Sequence, residues 1–141
     1  MDPSFDQKTE IIKLKFLLLP TSEQKYQTII ELGRALSPLP IEFKTPDRIV
    51  KGCQSALYLH SFLKDGQLFF NASSEALISA GLAALLIAVY SGESPETVLK
   101  RPPDFLAEIG IPSALSLSRS NGLAHIHLRM KQDALNCLIA K

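Results

Sequence analysis

The chain has few cysteines and almost no excess of charge. Its 141 residues include only two cysteines, Cys53 and Cys137, and 15 basic against 14 acidic side chains give a formal net charge of +1. Two distant cysteines do not make the disulfide framework of a small secreted domain, so a reducing compartment is expected. The charge is balanced and no long block of Lys and Arg is present, so the sequence does not show the basic surface typical of a nucleic-acid-binding protein. We therefore expect protein or small-molecule partners.

Long apolar runs are also scarce. The first ends at Pro20 and is too short for the apolar core of a signal peptide. The longest covers residues 76–90 and is interrupted only by Ser79 and Gly81. A membrane-spanning helix needs about 20 apolar residues, so this run predicts a helix buried inside the protein. The sequence thus predicts a cytoplasmic domain that does not bind membranes.

Helical periodicity accounts for most of the chain. Apolar side chains recur at helical spacing, and capping or turn-forming residues separate the segments. The predicted helices cover about residues 4–18, 21–36, 76–90, 94–100, 104–109 and 118 onward. Ser73 or Ser74 is expected to open the third helix, and the polar residues 118–121 to cap the last. Cys137 falls on the apolar stripe of that last helix and is expected to be buried.

One segment has the pattern of a β-hairpin. Two apolar runs, residues 56–63 and 68–71, flank Asp65-Gly66, a residue pair that tolerates the positive φ of a type I′ turn. The order of elements predicts an α+β fold. Its small antiparallel sheet, the hairpin plus a third strand, is expected to pack against several helices in a single domain.

Cys53 is the residue with the most evident chemistry. It follows Gly52 where a polar loop leads into the first strand, which predicts an accessible thiol at a loop tip. His60 lies too far along the strand to act as its base, and His125 and His127 point to different faces of the last helix. No Cys/His cluster has metal-ligand spacing, so neither a metal nor a cofactor is predicted. Two functions stay open: a thiol that carries a transferred group, and a thiol-dependent hydrolase or peroxidase.

Four segments of the chain match one known pattern in the same order. They are residues 23–33 with Leu39-Pro40, Val50-Lys-Gly-Cys-Gln-Ser55, residues 81–86, and Ser118-Arg-Ser-Asn-Gly-Leu123. This succession over most of the chain resembles the SufE family of sulfur acceptors. The resemblance implies one α+β domain over residues 1–141, with about residues 1–15 as an N-terminal extension of helical pattern.

The resemblance also implies a function for Cys53. Members of the SufE family take sulfur from a cysteine desulfurase of the SufS type, stimulate that enzyme, and pass the sulfur to an iron–sulfur scaffold of the SufBCD type. Cys53 aligns with the sulfur-accepting cysteine, so the protein would carry a transient persulfide without being an enzyme itself. The residues expected to support the thiol are Lys51, Gly52, Gln54, Ser55 and Arg119.

Persulfide exchange needs thiolate character and access rather than a metal or a dedicated base. Arg48, Lys51 and Arg119 are the cations that the sequence places near Cys53, and a nearby cation favours the thiolate. Arg119 is the preferred candidate because a side chain at the start of the last helix can reach a neighbouring loop. A salt bridge that anchors this helix is its alternative role. Gly52 is expected to let Cys53 swing between a sheltered and an extended position.

Two positions depart from the usual pattern of the family. Tyr58 stands where Trp is usual, and Ser73 stands where an acidic residue commonly opens the buried helix. Tyr58 keeps an aromatic body with a polar tip, so we expect the packing to be preserved. The missing charge at Ser73 bears on the choice of desulfurase, because charges at the rim of an interface steer association.

Overall fold

The computed structural model describes residues 3–53 and 55–140. Over these residues the chain forms seven α-helices and a two-stranded antiparallel sheet, which confirms the α+β class. The elements are α1 (Phe5–Leu17), α2 (Ser22–Arg34), β1 (Leu57–Lys64), β2 (Gln67–Ser74), α3 (Leu77–Tyr90), α4 (Pro95–Lys100), α5 (Asp104–Glu108), α6 (Ile111–Ala114) and α7 (Leu117–Ile139). Two short 3-10 turns, Ile41–Phe43 and Pro46–Arg48, lie between α2 and β1.

The first two helices begin with reciprocal caps. The Ser4 hydroxyl accepts from the Gln7 backbone N–H at 3.2 Å, and the Gln7 side chain accepts from the Ser4 N–H at 2.8 Å. Thr21 and Gln24 form the same pair of bonds at 3.1 and 3.3 Å. Each capping box satisfies two backbone donors that the first turn would otherwise leave open. Local sequence therefore determines where these helices start, and both lie within the predicted ranges.

Two predicted helix caps are wrong, although both helices begin within one residue of their predicted starts. Ser73 and Ser74 belong to β2, and α3 begins after Ala76 without a side-chain cap. The Ser74 hydroxyl makes other bonds instead: it accepts from the Ala76 N–H at 3.2 Å and donates to the Ala56 carbonyl at 2.7 Å. The last helix begins earlier than predicted. Its cap is Ser116, whose hydroxyl accepts from the Arg119 N–H at 3.3 Å, so residues 118–121 lie inside the first turns of α7.

The sheet is smaller than predicted. Asp65 and Gly66 adopt positive φ angles of 51° and 78°, as the hairpin turn requires, and every residue of β1 pairs with one of β2. The expected third strand is not present in the described residues. Only isolated bridges extend the sheet, from Ile49 to Tyr58 and from Glu93 to Leu68. A 3-10 turn ends at Arg48 and another turn follows Val50, so the chain around Ile49 is extended for too few residues to make a strand.

Helix α3 lies at the centre of the core, as its apolar run predicts. It packs against α1, α2, α7 and β2, and most of its side chains are buried. Its contact with α2 is a backbone contact: a Cβ on Gly81 would lie 2.1 Å from the Ile29 carbonyl oxygen, and one on Gly33 would lie 2.6 Å from the Gly81 nitrogen. Helix α1 adds Phe5, Ile12 and Phe16 to the same core. Among the described residues, none of the helices combines the length and apolar character needed to cross a membrane.

Candidate functional site

The loop that carries Cys53 is closed at its base. The Val50 N–H donates to the Leu57 carbonyl at 2.9 Å, and Ile49 forms a bridge with Tyr58 next to it. Val50 itself is buried in the core. The described residues 51–53 and 55–56 therefore belong to a short flap that extends from a stem joined to β1.

Cys53 is half-buried, whereas the sequence predicts an accessible thiol. Its Sγ lies 3.9 Å from the carbonyl oxygen of Gly122 on α7. Leu82 of α3 and Ile126 of α7 line the same small cavity, whose free volume is about 10 Å³. Burial raises the pKa of the Cys53 thiol, so in this position the sulfur is a neutral thiol. The flap thus holds the thiol in a sheltered position.

Gly52 is required at its position for two physical reasons. Its φ angle of 92° is one that side-chain-bearing residues rarely adopt. An added Cβ would also lie 2.4 Å from Cδ2 of His125, so the imidazole occupies the space that any side chain would need. His125 is exposed and covers the backbone of the flap, as a surface histidine rather than a partner of the thiol.

The three candidate cations lie in different places. Arg119 lines the Cys53 cavity and is half-buried, and its guanidinium makes no hydrogen bond or ion pair within the described part of the chain. Lys51 is exposed and lines a separate groove beside α7. Arg48 points elsewhere: its Nε donates to Nδ1 of His60 at 3.2 Å, and its guanidinium lies 5.1 Å from the centre of the Phe43 ring. Of the three, only Arg119 shares a cavity with the thiol.

Of the two remaining predicted residues, one belongs to the flap and one lies outside the described structure. Gln54 lies outside the described residues. Ser55 lines a cleft of about 550 Å³ together with Tyr58 and Ser73, which pair directly across the two strands. The two departures from the family pattern therefore share one surface beside the flap. Glu75 lines this cleft as well and supplies a carboxylate two residues after Ser73.

Two residues at the stem of the flap were not anticipated from the sequence. Arg129 and Asp133 are one turn apart on α7, and Arg129 Nε donates to the Asp133 carboxylate at 3.1 Å. The same guanidinium donates to the carbonyls of Asp47 and Ile49. The sequence does show an arginine and an aspartate at i,i+4 spacing, which predicts a pair on one helix face. This spacing does not reveal that the arginine also bonds backbone carbonyls elsewhere in the chain.

The site does not assemble a catalytic pair. Within the described residues, the hydrogen bond of the Cys53 Sγ goes to a backbone carbonyl, whereas a thiol nucleophile in a hydrolase has a base within about 3.2 Å. His60 accepts from Arg48, and the His127 ring stacks on Tyr90 with centroids 5.3 Å apart. In the described part of the chain, no group of three or more His, Cys, Asp or Glu residues is arranged to hold a metal ion. The geometry favours exchange at sulfur over hydrolysis.

Comparison with known proteins is consistent with this chemistry. SufE-like protein 1, chloroplastic/mitochondrial, of Arabidopsis thaliana is 34% identical over 90% of this chain and 34% of its own length. Cysteine desulfuration protein SufE of Plasmodium vivax is 34% identical over 82% of this chain and 48% of its own length. The chain thus spans about a third and about half of these two relatives.

The fold also has a solved counterpart. A solution structure of a hypothetical protein from Thermus thermophilus superposes with a TM-score of 0.75 at 26% identity, covering 94% of this chain and 96% of that one. The family model for SufE, described as an Fe-S metabolism associated domain, matches residues 10–134. This match includes the Cys53 loop and most of α7. The resemblance drawn from the four motifs is thereby confirmed, and the chain belongs to the SufE family of domains associated with Fe–S metabolism.

Proposed function

We propose that Cys53 accepts sulfur from a cysteine desulfurase of the SufS type, and that the protein delivers this sulfur to a SufBCD-like scaffold for iron–sulfur cluster assembly. The observation that carries the proposal is a single cysteine on a closed flap, held against α7 without a catalytic base in the described residues. The name of the Plasmodium relative, a cysteine desulfuration protein, supports the same role. A cytoplasmic site of action stays a prediction.

The transfer step is thiol exchange at sulfur. The Cys53 thiolate attacks the terminal sulfur of the persulfide on the desulfurase cysteine. A new S–S bond forms on Cys53, the S–S bond of the donor breaks, and the donor cysteine leaves as a thiolate. The reaction consumes no oxidant or reductant, because the sulfur keeps its oxidation state as it moves between two thiols. Neither a metal nor a cofactor takes part in this step.

The two positions of the flap have separate roles in this proposal. Burial raises the pKa of the thiol in the sheltered position, so the thiolate fraction of Cys53 increases when the flap moves toward solvent. The positive φ of Gly52 supplies the backbone freedom for this movement. The cavity of about 10 Å³ has room for about one small atom. Its apolar wall, including Leu82 and Ile126, would then shelter the terminal sulfur of the persulfide from water.

Arg119 is the supporting residue best placed to act on the sulfur. Arg119 lines the cavity, and its guanidinium has no ionic partner in the described part of the chain. A guanidinium near a thiolate or a persulfide anion stabilises the charged form. Two flap residues, Ser55 and the exposed Lys51, are proposed as contacts for the docked desulfurase.

The direct test is mass spectrometry after incubation with a desulfurase and cysteine. The wild-type protein should gain mass in steps of about 32 Da, one sulfur each, on the peptide that contains Cys53. Cys53→Ser should gain none, whereas Cys137→Ser should accept sulfur normally. Cys137 lies on α7 and is half-buried against the hydrophobic core. Its replacement by Ser should instead lower the free energy of unfolding by about 1 to 3 kcal/mol. Equal loss of acceptance in both variants would refute the assignment.

A further inference from the structure

One face of α7 follows the whole flap. Gly122, His125, Arg129 and Asp133 are spaced at intervals of three and four residues, which places them along one side of the helix. Gly122 and His125 contact the flap, Arg129 contacts its stem, and Asp133 contacts Ser61 of β1. This polar face lies beside the apolar stripe that enters the core, so a single helix both supports the core and holds the flap.

The two contacts nearest the thiol are weak. The Cys53 Sγ and the Gly122 carbonyl oxygen are 3.9 Å apart, and a thiol is a poor hydrogen-bond donor. Gly52 touches the His125 ring through van der Waals contact only. Neither contact has a charge-assisted component, so both can break and re-form at low energetic cost.

The contacts at the stem are much stronger. Arg129 donates from Nη2 to the Asp47 carbonyl at 2.8 Å and from Nη1 to the Ile49 carbonyl at 3.3 Å. Its Nε donates to Asp133, whose other carboxylate oxygen accepts from the Ser61 hydroxyl of β1 at 2.9 Å. Both charged side chains are largely buried, with exposed fractions of 23% and 14%. The guanidinium therefore ties the stem of the flap to α7, and the carboxylate ties α7 to β1.

We propose that Arg129 is a positioning residue that fixes the stem of the flap, so that the stem stays in place when Cys53 leaves its cavity. The inference rests on the function proposed above, in which the thiol alternates between a sheltered and an extended position. A fixed stem returns the sulfur to the same cavity after each excursion. Without it, the segment from Asp47 to Ile49 would be freed together with the flap, and Cys53 would spend more time exposed.

The test measures the accessibility of Cys53 in the absence of any desulfurase. Iodoacetamide alkylation is followed by mass spectrometry of the Cys53 peptide, at several pH values. Arg129→Ala removes both charge-assisted hydrogen bonds to the stem, and the alkylation rate should rise about tenfold if their loss weakens the closed form by the equivalent of one such bond. The midpoint of its pH profile should fall, because burial is what raises the pKa of the thiol. A role confined to stability would lower the melting temperature without moving this midpoint.

Two further variants sharpen the result. Arg129→Lys keeps the charge but replaces the planar guanidinium fork with a compact ammonium that does not reproduce its bond geometry, so alkylation should still rise by a few-fold. Arg101→Ala is the matched control, because it removes another arginine–aspartate pair, with Asp6, far from the flap. It should leave Cys53 alkylation at the wild-type rate. If Arg129→Ala fails to fold, the lysine variant carries the test.

The outcomes separate this inference from the proposed function. Unchanged alkylation and an unchanged pH midpoint in the arginine variants would overturn the positioning role, as would an equal rise in Arg101→Ala. A persulfide-loaded sample then gives the second measurement: Arg129→Ala should lose its sulfur to free dithiothreitol faster than the wild type. If the wild type never acquires sulfur from a desulfurase, the proposed function fails, while the alkylation result on Arg129 still stands.

Discussion

His125 and His127 are two residues apart on α7 and lie in opposite environments. His125 is exposed and covers the backbone of Gly52. His127 stacks on Tyr90, and its buried Nε2 has no hydrogen-bond partner in the described residues. Burial, with a smaller contribution from the charge of Lys131, lowers the pKa of His127 to about 4. The helical period correctly separates their faces, but it does not reveal which ring is buried.

The low pKa of His127 predicts an acid-sensitive contribution to stability. The unfolded chain binds a proton on this residue near its ordinary pKa of 6.5, whereas the folded protein does so only near 4. Its contribution is therefore complete above pH 6.5 and is lost as the pH falls toward 4. The loss of stability from His127 is at most about 3 kcal/mol. Solvent screening at the exposed edge of the ring reduces this value.

Urea unfolding at pH 7, 5.5 and 4.5 measures this effect. His127→Phe keeps an aromatic ring on Tyr90 but cannot be protonated, so its stability should fall less than that of the wild type between pH 7 and 4.5. His125→Gln serves as the control and should retain the wild-type slope. An identical pH dependence in the wild type and His127→Phe would contradict the assignment.

At the scale of elements, some boundaries are determined by local sequence and others by tertiary contacts. The capping boxes at Ser4 and Thr21 and the Asp65-Gly66 turn are encoded within a few residues, and the elements they define were predicted correctly. The end of β2 and the start of α3 depend on how long pairing with β1 continues, a property of the partner strand. The predicted third strand failed for a related reason: Ile49 reaches the edge of the sheet, but a turn ends just before it and another follows Val50, so it forms only an isolated bridge.

Gly81 supplies the test at this scale. A Cβ at this position would overlap the Ile29 carbonyl oxygen at 2.1 Å, which requires α2 and α3 to separate. Gly81→Ala should therefore lower the free energy of unfolding by about 3 kcal/mol or more, measured by urea denaturation at neutral pH. Alanine has a higher helix propensity than glycine, so propensity alone predicts that Gly81→Ala is more stable than the wild type. A loss of stability would therefore come from the contact between the helices.

Gly66→Ala is the comparison that isolates the contact. Gly66 has a φ of 78° but no atom within 4 Å of an added Cβ, so its substitution should cost only the strain of the left-handed backbone, about 1 to 2 kcal/mol. A Gly81→Ala variant as stable as the wild type would show that α2 and α3 can separate without loss of stability. That result would contradict the prediction that the close approach of their backbones requires glycine here.

Across the whole molecule, the site brings together residues that lie far apart in the chain. The motif around Cys53 and the Ser118–Leu123 motif were both recognisable in the sequence, and the family assignment they suggested is confirmed. The bonds from Arg129 to Asp47 and Ile49 join positions 82 and 80 residues apart. No local pattern encodes such contacts, because they depend on how α7 packs across the stem. The half-buried state of the thiol has the same origin, since it depends on where α3 and α7 meet.

The last prediction concerns the protein together with the desulfurase proposed as its partner. A persulfide left on a desulfurase occupies its nucleophile, so an acceptor that removes the sulfur frees the enzyme for another cycle. The wild-type protein should therefore raise the rate of alanine release from cysteine by a desulfurase. Cys53→Ala leaves the surrounding surface intact, so it should still bind the enzyme with a weak affinity typical of a small transient interface, yet should not stimulate it. Binding is measured by isothermal titration and turnover by alanine release, with Cys137→Ala as the matched control that should stimulate normally. Full stimulation by Cys53→Ala would mean that the protein activates the enzyme through contact alone, and that the thiol serves only to close the flap against α7.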